Sequence, residues 1–204
     1  MADNILSLFI GEVCAWLIIL IGRNLAVENA GVQVLLPYFK YLPLVFPLIC
    51  LAGMLIARLL RNLLPIIYQL AKFILVGGLN FLIDMGVLNF LIFSTGVSTG
   101  ITQSGFKSLS FLVAVTNSYV WNRHWTFKNE AQESISQEFF QFFIITVIGF
   151  SINVGIDYIL VNIVSPFWEM PLKTWAQFSA LLATLVQLVL NFLGYKFIVF
   201  NTKK

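Results

Sequence analysis

Polar side chains inside apolar stretches are the residues of this sequence that could do chemistry. Asn80 and Asp84 lie four residues apart in one apolar run, and Asn153 and Asp157 have the same spacing in another. Residues four apart share one face of a helix. A carboxylate at the centre of a bilayer costs on the order of 2.5 to 3.5 kcal/mol on insertion scales. Each pair therefore either bonds one helix to another or lines a polar path for a hydrated headgroup.

A second set of candidate residues combines cations with aromatic rings at the polar end of apolar runs. Asn122 and Arg123 follow one run, and Lys196 follows another. A guanidinium offers paired donors to a phosphate group, and an ammonium offers a point charge. We predict that Arg123, Lys196 and Asn122 bind the phosphate of a substrate. The simpler alternative is that these cations only anchor the spans, helped by the interfacial aromatic residues Tyr119, Trp125 and Phe127.

The two sets recur at one spacing. Adding 73 carries Asp84 to Asp157, Arg123 to Lys196 and Ser118 to Asn191 without a gap. This predicts a duplicated unit, covering about residues 65–127 and 138–200. The predicted headgroup path then contains residues from both copies: Asn80, Asp84, Asn153, Asp157 and Asn191. Several glycines in these runs would let another helix approach closely: Gly77, Gly78, Gly86, Gly149 and Gly155.

The sequence lacks the residues that other kinds of chemistry require. The sequence has no phosphate-binding loop of the G-x-x-x-x-G-K type and no nucleophile elbow. His124 is the one histidine, and neither Cys14 nor Cys50 is near it, so we expect no metal site. We therefore expect no catalytic residues, no cofactor, no nucleic-acid partner and a protein that is not an enzyme.

The elements that carry these residues are predicted to be transmembrane helices. The chain has 204 residues, of which 59% are hydrophobic and 10% charged, with a mean hydropathy of +0.91. Such a balance is typical of an all-α integral membrane protein. Six runs approach the length of about 20 residues that crosses a bilayer: 5–21, 41–57, 73–93, 106–121, 139–164 and 175–195. The basic stretch 58–72, interrupted by Pro65, is predicted to form a short amphipathic helix at the interface.

These runs predict three segments. Residues 1–64 form an N-terminal extension with two transmembrane helices, residues 65–127 the first hairpin repeat, and residues 128–204 the second repeat with a short basic tail containing Lys203 and Lys204. Eight Lys and Arg residues fall on the side of the termini and four on the other. The positive-inside rule then places both termini in the cytoplasm. We expect the chain to lie in the cell (inner) membrane.

Two motifs carry a family resemblance: Phe73-x-x-Val76-Gly77-Gly78-x-Asn80-x-x-x-Asp84 and Asn122-Arg123-x-Trp125-x-Phe127, with an echo at Asn191, Lys196 and Phe200. With them the chain resembles the GtrA-like family over about residues 70–200. It departs from that family in its first 65 or so residues and in having no tryptophan in the segment 197–199.

The resemblance implies a four-helix bundle of two duplicated hairpins that flips a polyprenyl-phosphate-linked monosaccharide from the cytoplasmic to the outer leaflet. That sugar would then glycosylate a cell-surface polysaccharide. The implied partners are the lipid-linked sugar, membrane lipid and a membrane glycosyltransferase, and a homo-oligomer is compatible with the resemblance.

Two other functions stay open. The protein could be a non-transporting anchor or stabilising partner of a polyprenyl-phosphate glycosyltransferase, docked through its N-terminal extension. It could also be a small proton-coupled exporter, with Glu12, Asp84 or Asp157 as the coupling carboxylates. Dependence on Arg123 separates the three, because phosphate recognition requires this cation, cation export is favoured by its removal and anchoring is insensitive to it.

Overall fold

The described part of the chain is helical and contains no strand, which confirms the all-α prediction. The computed structural model describes residues 2–27, 29–128, 134–167 and 170–200. In chain order the helices are α1 (Ala2–Ala26), α2 (Ala30–Gln33), α3 (Leu36–Phe39), α4 (Leu42–Leu60), α5 (Pro65–Thr95), α6 (Gly100–Trp121), α7 (Ile135–Asn162) and α8 (Leu172–Gly194). Two π-helical turns follow α6 and α8: π1 (Asn122–Thr126) and π2 (Tyr195–Val199).

Five of the described helices are long and apolar enough to cross a membrane, whereas six spans were predicted. They are α1, α4, α5, α7, and α8 together with π2. The remaining predicted span lies in α6, whose 22 residues extend over about 33 Å and so exceed the hydrocarbon thickness of about 30 Å. Its first two turns contain Gln103, Ser104 and Lys107, and these polar residues account for its lower hydropathy.

The chain forms two compact units, Met1–Lys128 and Asn129–Lys204. In the first unit α1 packs against α4 and α5, and α5 packs against α6. In the second unit α7 packs against α8. The separation of 1–64 from 65–127 stays a prediction. The predicted basic tail at Lys203 and Lys204 lies outside the described residues.

Helix α1 runs parallel to α5, with polar contacts at both ends. The Tyr68 hydroxyl donates to Asp3 Oδ2 at 2.8 Å near the start of both helices. Near their other ends the Asn24 amide donates to Asn89 Oδ1 at 2.5 Å. Both contacts join residues 65 positions apart, so the register is constant along the pair. The N-terminal extension is therefore fixed to α5 at each end of α1.

The expected amphipathic helix over 58–72 does not form, and that prediction was wrong. Helix α4 ends at Leu60, a short turn follows, and Pro65 occupies the first turn of α5. A proline is favourable in this position because its missing N–H would have no intrahelical partner. The helix then continues without a break to Thr95 and ends at Gly96, whose positive φ of 72° suits a glycine C-cap. Pro65 thus begins a span instead of interrupting an interfacial helix.

The predicted close approaches occur at two of the five glycines. A Cβ built on Gly86 would lie 3.1 Å from the Leu17 side chain of α1, and one built on Gly149 would clash with Asn191 of α8. For Gly77, Gly78 and Gly155, by contrast, the described residues place no heavy atom within 4 Å of such a Cβ. The space beside Gly78 belongs to a cavity that is described below.

Candidate functional site

Both α6 and α8 end in a single π-helical turn. The amide of Phe127 donates to the Asn122 carbonyl at 2.8 Å, and the amide of Phe200 donates to the Tyr195 carbonyl at 2.7 Å. Adding 73 to the bounds of π1, Asn122–Thr126, gives those of π2, Tyr195–Val199. Single π-turns are rare and occur often at functional sites. The two predicted phosphate-binding cations, Arg123 and Lys196, are each the second residue of their turn.

Arg123 is half-buried, and its Nη1 donates to the Tyr119 hydroxyl at 3.3 Å. Its neighbour Asn122 is 0% exposed, and the amide of Asn122 donates to the Ser118 carbonyl at 2.9 Å. Asn122 is thus enclosed within π1, whereas Arg123 is partly exposed, so binding of a phosphate by Asn122 and by Arg123 stays a prediction. The negative end of the α6 dipole also favours a cation at this position.

Lys196 is half-buried in the second unit. Its Nζ lies 5.7 Å from the ring centroid of Phe192 and 5.7 Å from that of Phe197, within the range of cation–π attraction. Arg123 belongs to the first unit and Lys196 to the second. Their joint binding of one phosphate group stays a prediction.

The polar pair of the first repeat is bonded to α6. The Asn117 amide donates to Asn80 Oδ1 at 2.6 Å. The Ser110 hydroxyl donates to Asp84 Oδ1 at 2.6 Å, and the Lys107 ammonium forms an ion pair with the same carboxylate. Asp84 therefore has a charged partner and a hydrogen-bond donor, both on the facing helix. Sequence reasoning counted Lys107 among the four Lys and Arg residues of the outer side and missed this ion pair.

The polar residues of the second repeat lack such partners. Ala180 and Ala183 occupy the positions 73 residues beyond Lys107 and Ser110. Three buried polar atoms on α7 and α8 have no hydrogen-bond partner among the described residues: Asp157 Oδ1, Ser179 Oγ and Asn191 Oδ1. The Asn153 amide reaches Thr184 Oγ1 only at 3.5 Å. Buried polar groups without a partner are rare and costly, and the described part of the first unit contains others at Asn80 Nδ2, Asn122 Oδ1 and Thr126 Oγ1.

A comparison with known protein families identifies the family of this repeated architecture. A family profile described as GtrA/DPMS, transmembrane domain, matches residues 72–200. The chain belongs to the GtrA/DPMS family. This confirms the predicted resemblance, makes the chain a multi-pass membrane protein and indicates a role in handling lipid-linked sugars. No solved structure matches the chain.

The GtrA/DPMS domain begins at Lys72, which lies in a cluster that sequence reasoning missed. Lys72 Nζ is 2.7 Å from Asp3 Oδ2, and the Trp125 indole donates to Asp3 Oδ1 at 2.9 Å. The Lys72 side chain is 5% exposed and also lies over the rings of Tyr68 and Trp125, at 4.9 and 5.3 Å from their centroids. Asp3 comes from outside the GtrA/DPMS domain, so the extension supplies the anion for a cation of the domain.

The aromatic residues predicted at the interface are buried. Tyr119, Trp125 and Phe127 are 6%, 3% and 9% exposed. Trp121 and Trp125 form an edge-to-face pair with centroids 5.8 Å apart. Phe127 lies 6.4 Å from Phe73 of α5, between ring centroids. These rings pack π1 against α5, and their role at the membrane interface stays a prediction.

No group of three or more histidine, cysteine or acidic side chains that could hold a metal occurs in the described ranges of the GtrA/DPMS protein. Both cysteines are buried free thiols.

Proposed function

We propose that the protein flips a polyprenyl-phosphate-linked monosaccharide from the cytoplasmic to the outer leaflet of the cell (inner) membrane, for glycosylation of surface polysaccharides. The observation that carries this proposal is the set of unpartnered polar atoms on α7 and α8: Asp157 Oδ1, Ser179 Oγ and Asn191 Oδ1. A purely structural helix pair gains nothing from such atoms, because each costs free energy while it is unsatisfied. These atoms are enclosed between the helices, so sugar hydroxyls could donate to the carboxylate and the amide oxygen, and donate to or accept from the serine, only when α7 and α8 move apart.

In this mechanism the phosphate and the sugar are held by different elements. Arg123, at the end of α6, gives paired donors to the phosphate on the cytoplasmic side, where we place both termini. Lys196 occupies the same position in π2 and adds a second cation. The sugar passes along the polar residues of the hairpins, and the prenyl chain stays in the lipid.

The proposed transport is downhill. We infer that the protein lowers the barrier to crossing and supplies no work, since the sequence contains no nucleotide-binding loop. Consumption of the lipid-linked sugar on the outer side would pull the substrate across. A membrane glycosyltransferase that charges the polyprenyl phosphate on the inner side is the proposed partner.

The test is a flipping measurement in liposomes that contain a fluorescent polyprenyl-phosphate hexose, followed through its access to an external quencher. We expect the wild-type protein to accelerate flipping and Arg123→Gln to reduce the rate about ten- to hundred-fold, because a hydrogen bond to a charged group is worth about 1.5 to 3 kcal/mol. Arg58→Gln is the matched control. It removes the same charge from an exposed residue outside the family domain, and we expect it to flip at the wild-type rate.

Two results would contradict the proposal in different ways. Rates that do not depend on the protein would exclude flipping and favour the non-transporting partner of a glycosyltransferase. Wild-type rates in Arg123→Gln would exclude Arg123 as the phosphate ligand and would favour an exporter of another substrate if carboxylate variants at Asp157 lost activity.

A further inference from the structure

The first unit contains an apolar cavity that the proposed transport does not use. Its volume is about 430 Å³, and it lies between α1, α4 and α5. The lining includes Cys14 of α1, Cys50 and Gly53 of α4, and Ile74, Gly78 and Leu82 of α5. Among the described residues no charged side chain lines it, and the two thiols are weak hydrogen-bonding groups.

Two features of the helix packing leave this cavity open. Polar contacts fix α1 to α5 at both ends, through Asp3 and through Asn24. Between these ends, Gly53 and Gly78 contribute no side chain, and the described residues leave the space around each built Cβ open to 4 Å. The terminal contacts thus fix α1 against α5, and the two glycines leave the space beside α4 and α5 without side chains.

The cavity is suited neither to holding water nor to remaining empty. A buried water needs two to four polar partners, which this lining does not provide. An empty apolar cavity destabilises a protein in proportion to its volume, because the lining atoms lose their dispersion contacts. Ile49 and Ile74 of the lining are 59% and 49% exposed and lie within candidate membrane spans, so the cavity opens toward lipid. Hydrocarbon is the material available at that opening.

The length of the cavity along α5 matches the thickness of one leaflet. On α5 the lining extends from Ala71 to Leu82, which is about 16 Å along a helix axis and about half of the hydrocarbon thickness. Ala71 is next to Lys72, so the cavity begins at the level of the Asp3–Lys72 ion pair. A chain that enters from the leaflet at this end would reach the middle of the membrane.

We propose that this cavity holds an acyl chain of a bilayer phospholipid, which completes the packing of the N-terminal extension on α5. The occupant is an ordinary phospholipid because the cavity contacts the chain alone. Lys72, which follows the lining residue Ala71, is already paired with Asp3 and does not select a headgroup. A site that selects only by shape is filled by the most abundant chain around it. The site is separate from the proposed flipping path and does not depend on it.

The test uses liposomes with a phosphatidylethanolamine that carries a diazirine in its acyl chain, followed by mass spectrometry of crosslinked peptides. We expect crosslinks on the wild-type peptides that contain Cys14 and Cys50. Gly78→Leu fills the cavity and should reduce these crosslinks at least five-fold. Gly77→Leu is the matched control, because Gly77 also has open space at its Cβ among the described residues but does not line the cavity. It should crosslink like the wild type.

A parallel sample with a diazirine-labelled polyprenyl phosphate distinguishes the lipid source. Stronger labelling of the Cys14 and Cys50 peptides by this probe than by the phospholipid would overturn the assignment, as would equal labelling of Gly78→Leu and Gly77→Leu. A second measurement needs no variant. In wild-type protein, an apolar maleimide should react with the two thiols several-fold faster after delipidation than before, and an unchanged rate would contradict the proposal.

Discussion

At the scale of single residues, Lys72 is a buried cation that pairs with the N-terminal extension. Its ammonium is bonded to Asp3 and enclosed by the rings of Tyr68 and Trp125. A buried ion pair adds little net stability, but removal of one partner leaves an uncompensated charge and is costly. The value of this pair is therefore best measured by comparing the loss of one partner with the loss of both.

We expect Asp3→Asn to lower the free energy of unfolding by roughly 1 to 3 kcal/mol, because Lys72 would remain buried without its anion. The double variant Asp3→Asn with Lys72→Met should recover much of that loss, since it removes the stranded charge. Thermal unfolding in detergent micelles measures both. Additive effects in the double variant would contradict the coupling.

At the scale of elements, the two hairpins share their polar positions but differ in how these are satisfied. The α5–α6 pair encloses Asp84 with Lys107 and Ser110, whereas α7–α8 leaves an oxygen of Asp157 without a described partner. Asp84 is thus suited to holding two helices together, although Asn80 Nδ2 on α5 has no partner among the described residues either. Under the proposed function, the second hairpin retains polar atoms for a ligand.

We expect Asp84→Asn to lower the melting temperature, because the Lys107 ion pair is lost, while Asp157→Asn leaves it within a degree or two. In the liposome flipping measurement we expect Asp157→Asn to have the larger effect. It should lower the flipping rate about ten-fold or more, because one charged hydrogen bond to the sugar is weakened. Equal effects of the two variants in both measurements would show that the hairpins have the same role.

The sequence predicted the helices and the repeated polar pairs because both follow from local spacing. It did not predict the partner of Lys72, since Asp3 lies far from it in the sequence and only the parallel packing of α1 and α5 brings the two together. The error over 58–72 came from treating Pro65 as a break, when its place in the first turn decides that it starts a helix. The π-turns depend on backbone hydrogen bonds that side-chain patterns do not encode.

At the scale of the whole molecule, the topology depends on whether α6 crosses the membrane. Its length is sufficient, and it packs against α5 after a connection of four residues, so the two helices run antiparallel. An α6 that crosses returns the chain to the side from which α5 started. The number of spans is then even and both termini share one side.

Single cysteines on either side of α6 test this topology. We expect a membrane-impermeant maleimide to label Ser98→Cys from outside the cell and Ser134→Cys only after permeabilisation. Both positions are exposed, and the native Cys14 and Cys50 are buried and should not react. Labelling of both variants from the same side would mean that α6 does not cross.

The register of α1 on α5 also sets an order of events during synthesis of the protein. Asp3 and Asn24 bond to residues that follow them by 65 positions. A ribosome adds about 5 to 20 residues per second, so these partners emerge roughly 3 to 13 s later. During that interval α4 is made, while the polar side chains of α1 still await their partners on α5. The N-terminal hairpin therefore reaches its final position only when the first helix of the family domain has entered the bilayer.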